Sequence, residues 1–137
     1  MGCEKSMRSL PKIVVWLGIL TILVTGIVHF MDAPDSMSDV AYKGMLFYAN
    51  GIGALVAAWG IFRNRSMWGW HLGALVAGLA FVGYIASRTI GLPMLPPEPD
   101  AWLEPMGVIS LVAEAGFLAI YGWVLIQGRH SLTTVSG

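Results

Sequence analysis

Glu114 stands alone inside the apolar stretch of residues 106–126. A carboxylate in such a setting can bind a cation, relay a proton, or fix one helix to its neighbours through hydrogen bonds. Hydrocarbon offers it no partner, so it is expected to face protein, water or an ion. Other polar residues recur in the neighbouring apolar stretches. His29 closes the first, Asn50 lies about two turns into the second, and Tyr84 and Arg88 are four residues apart on the third. Ser110 and Glu114 share that spacing on the fourth, and residues four apart are neighbours on a helix. Counted from the expected outer surface, Asn50 and Glu114 reach similar depths, roughly 10–13 Å at 1.5 Å per residue. Arg88 is shallower, with a side chain long enough to reach inward. In a structural role, Glu114 pairs with Arg88 or hydrogen-bonds to Asn50 and Tyr84, which fixes helix order where an unpaired charge is costly. In a functional role, it is a protonatable carboxylate for ion or proton coupling.

The elements that hold these groups are membrane spans. The 137 residues are 56% hydrophobic and 12% charged, with a mean hydropathy of +0.70, well below the ~25% charge of a soluble domain. Four apolar blocks are expected to form helices over residues 13–30, 45–62, 68–86 and 106–126. Each is close to the ~20 residues that cross a bilayer, and none has the alternation of a barrel strand. The expected fold is an all-α, single-domain, up-down-up-down four-helix bundle. Zero formal net charge suggests no nucleic-acid partner; the partners expected are the lipid bilayer and other membrane subunits or a second copy. Cys3 is the single cysteine, so no intrachain disulfide forms. The opening residues 1–6 fit an acylation pattern that reads as a chance match, and the first block is too long for a removable signal peptide.

Basic residues set the expected orientation. Lys5, Arg8 and Lys12 precede the first span, Arg63 and Arg65 fill the second connection, and Arg129 follows the fourth span. The other two connections are acidic, with Asp32, Asp35 and Asp39 in one and Glu98, Asp100 and Glu104 in the other. The positive-inside rule then makes both termini cytoplasmic. Lys43 and Arg88 are exceptions at outer helix ends, where long side chains reach water. Trp16, Trp59, Trp68, Trp70 and Trp123 are expected to form a belt at the cytoplasmic interface.

Small residues mark expected packing faces: Gly53 and Ala57, then Gly69, Gly73 and Ala77, then Ala115 and Ala119, each row with a four-residue period. The pentapeptide at residues 53–57 recurs at residues 73–77, which reads as shared packing chemistry. Residues 92–105 hold five prolines and are expected to form a stiff, extended outer cap, with Trp102 at the interface.

Cofactor chemistry finds little support. His29 and His71 sit at opposite ends of their helices, roughly 20 Å or more apart in depth, too far to ligate one haem. His130 lies beyond the fourth span. Copper is a weaker alternative, resting on Met31, Met37, Met45, Met94 and Met106 near His29 and Asp32, since thioethers suit Cu(I). Methionines are also ordinary gap fillers. No phosphate-binding loop, nucleophile elbow, zinc-protease helix or dinucleotide glycine pattern is present, so no enzyme activity is expected.

The run of residues 87–93, Ser-Arg-Thr-Ile-Gly-Leu-Pro, is followed by Trp-Leu-Glu-Pro-Met-Gly at 102–107 and Ser-Leu-Val-Ala-Glu at 110–114. In these segments the chain resembles a group of bacterial four-helix integral membrane proteins with no assigned activity, over most of its length from His29 onward. The resemblance implies the architecture and a bacterial inner-membrane location, and leaves function open. Small multidrug transporters also combine four short helices with one membrane glutamate. Theirs is in the first helix, so their function is not carried over. The expected role is a non-enzymatic accessory or interaction subunit of a larger membrane assembly. The alternatives are a small oligomeric transporter coupled through Glu114, or a redox-complex subunit contacting quinone, lipid or cofactor near His29 and Arg88.

Overall fold

The computed structural model describes residues 10–63 and 66–133, with side chains through Gly128. Cys3, Lys5, Arg8 and Arg65 lie outside the described residues, as do the side chains of Arg129 and His130. The described chain is helical apart from its connections. Helix α1 spans Lys12–Asp39, α2 Ala41–Arg63, α3 Trp68–Thr89 and α4 Pro105–Thr133. All four are long and apolar enough to cross a membrane.

Helix ends follow local chemistry. Pro11 precedes α1 with φ fixed at −57°, and its carbonyl accepts from the Val14 and Val15 amides. Pro105 opens α4, where a missing N–H costs nothing. Gly91, at φ 83°, ends α3 by turning its amide back onto the Ala86 carbonyl at 2.8 Å.

The first connection differs from expectation. In place of a loop after Phe30, α1 continues through Asp32, Pro34 and Asp35 to Asp39, and one extended residue, Val40, separates it from α2. Hydropathy marks where hydrocarbon would end; helical hydrogen bonding has no reason to stop there. The chain then folds back so sharply that a Cβ on Gly44 would lie 2.6 Å from the Met37 Cα.

Each helix packs on its sequence neighbours, and α4 closes the ring against α1. The core runs through Ile22, Ala54, Ala57, Ile61, Trp70, Ala77 and Phe117. Gly69 meets α2 backbone to backbone: a Cβ there would lie 2.5 Å from the Ile61 nitrogen. Gly73 faces the Phe117 ring, and Gly53 faces Val76. These rows lie in helix contacts. The Ala115–Ala119 row does not, because both residues are exposed. The buried face of α4 is instead Ser110, Ala113, Glu114, Phe117 and Val124, one step around the helix. Trp70 also departs from expectation. It is 0% exposed and stacks on Phe117 at 5.7 Å, whereas Trp16, Trp59, Trp68 and Trp123 are exposed. Its spacing to Gly73 and Ala77 places it on the inward face.

Candidate functional site

Between α3 and α4, the proline-rich segment folds onto the end of the bundle. Leu92 and Leu95 exchange two backbone hydrogen bonds around Pro93 and Met94, and Pro99–Ala101 forms a 3-10 turn. The Glu98 amide donates to the Ser87 carbonyl at 3.0 Å. The Tyr42 hydroxyl donates to the Pro93 carbonyl, and the Tyr84 hydroxyl to that of Trp102 at 2.8 Å. The segment is a cap, as expected, but a turned and bonded one rather than an extended run.

Arg88 anchors this cap. Its guanidinium is 7% exposed and lies 4.8 Å above the Tyr84 ring. One terminal nitrogen donates to Glu98 Oε2 at 2.7 Å and the other to Glu104 Oε2 at 2.8 Å. The expected pairing of Arg88 with Glu114 is therefore replaced by a two-carboxylate clamp. A forked donor set can hold two acceptors at once, which a lysine could not do in the same plane.

Glu114 is 1% exposed. Its Oε1 accepts from the Ser110 hydroxyl at 2.5 Å, one turn earlier on the same face of α4. Asn50 donates from Nδ2 to the Val76 carbonyl at 2.9 Å, tying α2 to α3. His29, within α1 and not at its end, places Nδ1 2.8 Å from the Thr25 carbonyl. A carbonyl only accepts, so Nδ1 carries a proton and Nε2 takes no part in this bond. The His29 ring stands edge-on to Phe47 at 5.0 Å.

His29, Asn50, Tyr84, Arg88, Ser110 and Glu114 all line one cavity of about 740 Å³ at this end of the bundle. Direct contacts among the six are limited to Ser110 with Glu114 and Arg88 with Tyr84. Buried side-chain atoms without a hydrogen-bond partner among the described residues are Asn50 Oδ1, Glu114 Oε2, Arg88 Nε and, in the core, Trp70 Nε1. Leaving a buried polar atom unpaired costs about 1–3 kcal/mol, so such atoms mark places where a partner fits. Among the residues that line the cavity, two buried acceptors at depth and one buried donor at the clamp are thus unpaired.

Among the described residues, no group of three or more His, Cys, Asp or Glu could hold a metal ion. Met31, Met45 and Met94 are exposed, and His71 bonds to Tyr121 at 2.7 Å, away from the cavity residues. Sequence reasoning used Glu98 and Glu104 only for orientation and missed their clamp. Two carboxylates flanking a proline-rich segment just after an intrahelical arginine were the available signal. Phe47 was missed too, because one phenylalanine in an apolar helix carries no signal of its own. No protein-family model matches the chain, and no curated protein or solved structure matches it.

Proposed function

We propose that this chain is a non-enzymatic, multi-pass protein of a bacterial inner membrane that binds a small ligand in the cavity at its outer end, with Glu114 as the recognising or coupling group. The observation that carries this reading is Glu114 itself: buried, lining a 740 Å³ cavity, with one carboxylate oxygen unused. A buried carboxylate oxygen without a protein donor is costly unless water, an ion or a ligand completes it. Cavities of roughly 300–1,000 Å³ suit small organic ligands.

The membrane orientation belongs to the same proposal: an up-down-up-down bundle with both termini cytoplasmic. Charge supports it. Lys43 and Arg88, the two cations at the acidic end, are each ion-paired, to Asp39 and to Glu98 with Glu104, so neither opposes the positive-inside assignment. A periplasm-only reporter after Gly137 is expected to be inactive and one inserted near Asp35 active. The reverse pattern overturns the orientation. The resemblance of residues 87–93 and 102–114 to bacterial four-helix membrane proteins supports the location.

The test of the site is Glu114→Gln in a deletion strain with a measurable phenotype. A folded variant that fails to rescue supports ligand or ion coupling, and full rescue overturns it. A second reading, an accessory subunit or homo-oligomer, draws on the exposed Ala115 and Ala119, a small-residue row this single chain leaves unused. Cysteine cross-linking at Ala119 in native membranes tests it: a specific adduct supports the reading, and none removes it.

A further inference from the structure

We propose that the cavity receives an ammonium group carried on an apolar body, the ammonium against Glu114 Oε2 and Asn50 Oδ1 and the body along the gap between α2 and α3. This rests on the ligand-binding reading above and names the chemistry of the ligand. Hydrogen-bond accounting gives its polarity. The hydroxyls of Tyr84 and Ser110, the Asn50 amide, and the terminal nitrogens of Arg88 already donate to protein acceptors. Left unpaired at depth among the described residues are two acceptors, Asn50 Oδ1 and Glu114 Oε2, beside the second N–H of the Asn50 amide. The one vacant buried donor, Arg88 Nε, belongs to the clamp. A ligand that satisfies the deep atoms must therefore donate.

Charge gives the sign. Asp32, Asp35, Asp39, Glu98, Glu104 and Glu114 line the cavity against only Lys43 and Arg88. Those two cations are committed to Asp39, Glu98 and Glu104, and no ion pair among the described residues involves Asp32, Asp35 or Glu114. An anion would enter against this field. A bare metal ion lacks both a ligand cluster and a reason for so large a space. An ammonium offers up to three donors and a positive charge in one group.

Shape gives the body. Leu46 on α2, with Leu75 and Leu79 on α3, lines the cavity and also stands exposed on the outside of the bundle. The wall of the cavity between these helices is thus apolar, on an edge that faces lipid in a membrane. Phe47 adds an aromatic wall inside. Parting of these leucine side chains would admit an amphiphile, head first, from the bilayer. The ammonium could belong to a free lipophilic amine or to a phosphatidylethanolamine headgroup, and the experiment separates the two.

The full-length protein is reconstituted in phosphatidylglycerol nanodiscs, and binding of 3-phenylpropylammonium is compared with that of the neutral 3-phenylpropanol, with empty nanodiscs as blank. The expected result is saturable ammonium binding at least tenfold tighter than the alcohol's. Glu114→Gln is expected to weaken it at least tenfold, Asn50→Leu at least threefold, and Glu114→Asp less than either. Should Glu114→Gln fail to fold, Glu114→Asp, Asn50→Leu and the two probes still decide the matter. Adding phosphatidylethanolamine then assigns the source: competition points to the lipid, its absence to a free amine, and either supports the ammonium class. Equal affinity for alcohol and ammonium, or unchanged ammonium binding by a folded Glu114→Gln protein, overturns the ammonium class and leaves the ligand-binding reading standing. Absence of saturable binding by either probe also overturns the class, and full rescue of the deletion strain by Glu114→Gln is what would bring down the ligand-binding reading with it.

Discussion

The two ends of this bundle are built on opposite principles. Toward the Arg63 end, α2 and α3 touch backbone to backbone at Gly60 and Gly69, Trp70 stacks on Phe117, and a Cβ on Gly18 would lie 2.5 Å from the Trp70 ring. Toward the proline-rich end the helices surround a cavity, and three of its lining side chains, Asn50, Arg88 and Glu114, hold buried polar atoms without a partner among the described residues, against Trp70 alone at the other end. Close approach needs small residues, and the space saved on one helix is taken up by a large ring from another. Where no ring fills the space, polar groups line it. One end is therefore filled by apolar packing, and the other encloses a cavity lined by polar groups.

The contrast breaks first at Trp70. Trp70→Ala empties the dry end and should cost about 3–5 kcal/mol, read as loss of the folded fraction in detergent titration. A smaller cost than Leu79→Phe, at a 64% exposed site, would mean the ends have been misjudged. Gly69→Leu comes next, at about 3 kcal/mol, because the obstructing atoms are backbone; Gly73→Leu should cost less, since the Phe117 ring can shift. Equal tolerance of the two would remove the backbone-contact argument.

Arg88→Met probes the other end. Both carboxylate partners are more than half exposed, so the loss should fall between a surface and a fully buried ion pair, about 1–2 kcal/mol. Hydrogen exchange should show it as faster amide exchange at Leu92, Leu95 and Glu98 with little change in α1. Uniform acceleration across the chain would show that the clamp supports the whole fold. Smallest of all, Glu114→Gln should change stability by less than about 1 kcal/mol, since the amide keeps the Ser110 contact. A loss comparable to Trp70→Ala would make Glu114 a structural keystone and return the site to the structural reading.

Much of this was legible in the sequence, and the losses have physical causes. Four apolar blocks marked four helices, because burial in lipid and helical hydrogen bonding demand the same lengths. The end of α1 was misplaced because hydropathy reports the surroundings of a helix and not its hydrogen bonds. Ala115 and Ala119 show that a small-residue row says a helix can be approached closely, without saying from where. Trp70 shows that a residue near an interface can still point inward when its spacing to Gly73 and Ala77 is inward. The six polar residues expected to converge in one half of the bundle all line the cavity, since depth along a helix is countable. Their bonding was not, because Arg88 reaches its partners through a folded segment whose path no spacing rule gives.

The Arg88 clamp also sets an order of events during synthesis. Arg88 precedes Glu98 by 10 residues and Glu104 by 16. At roughly 5–20 residues per second the ribosome delivers the second carboxylate about one to three seconds after the arginine. Over the last part of that interval Glu98 is the one clamp carboxylate available to the guanidinium at the end of α3. Glu104 also supplies the carbonyl that accepts from the Val108 amide at the start of α4, so the residue that completes the clamp initiates the last helix. The second bond of the clamp and the first turn of α4 thus depend on one residue and become available together.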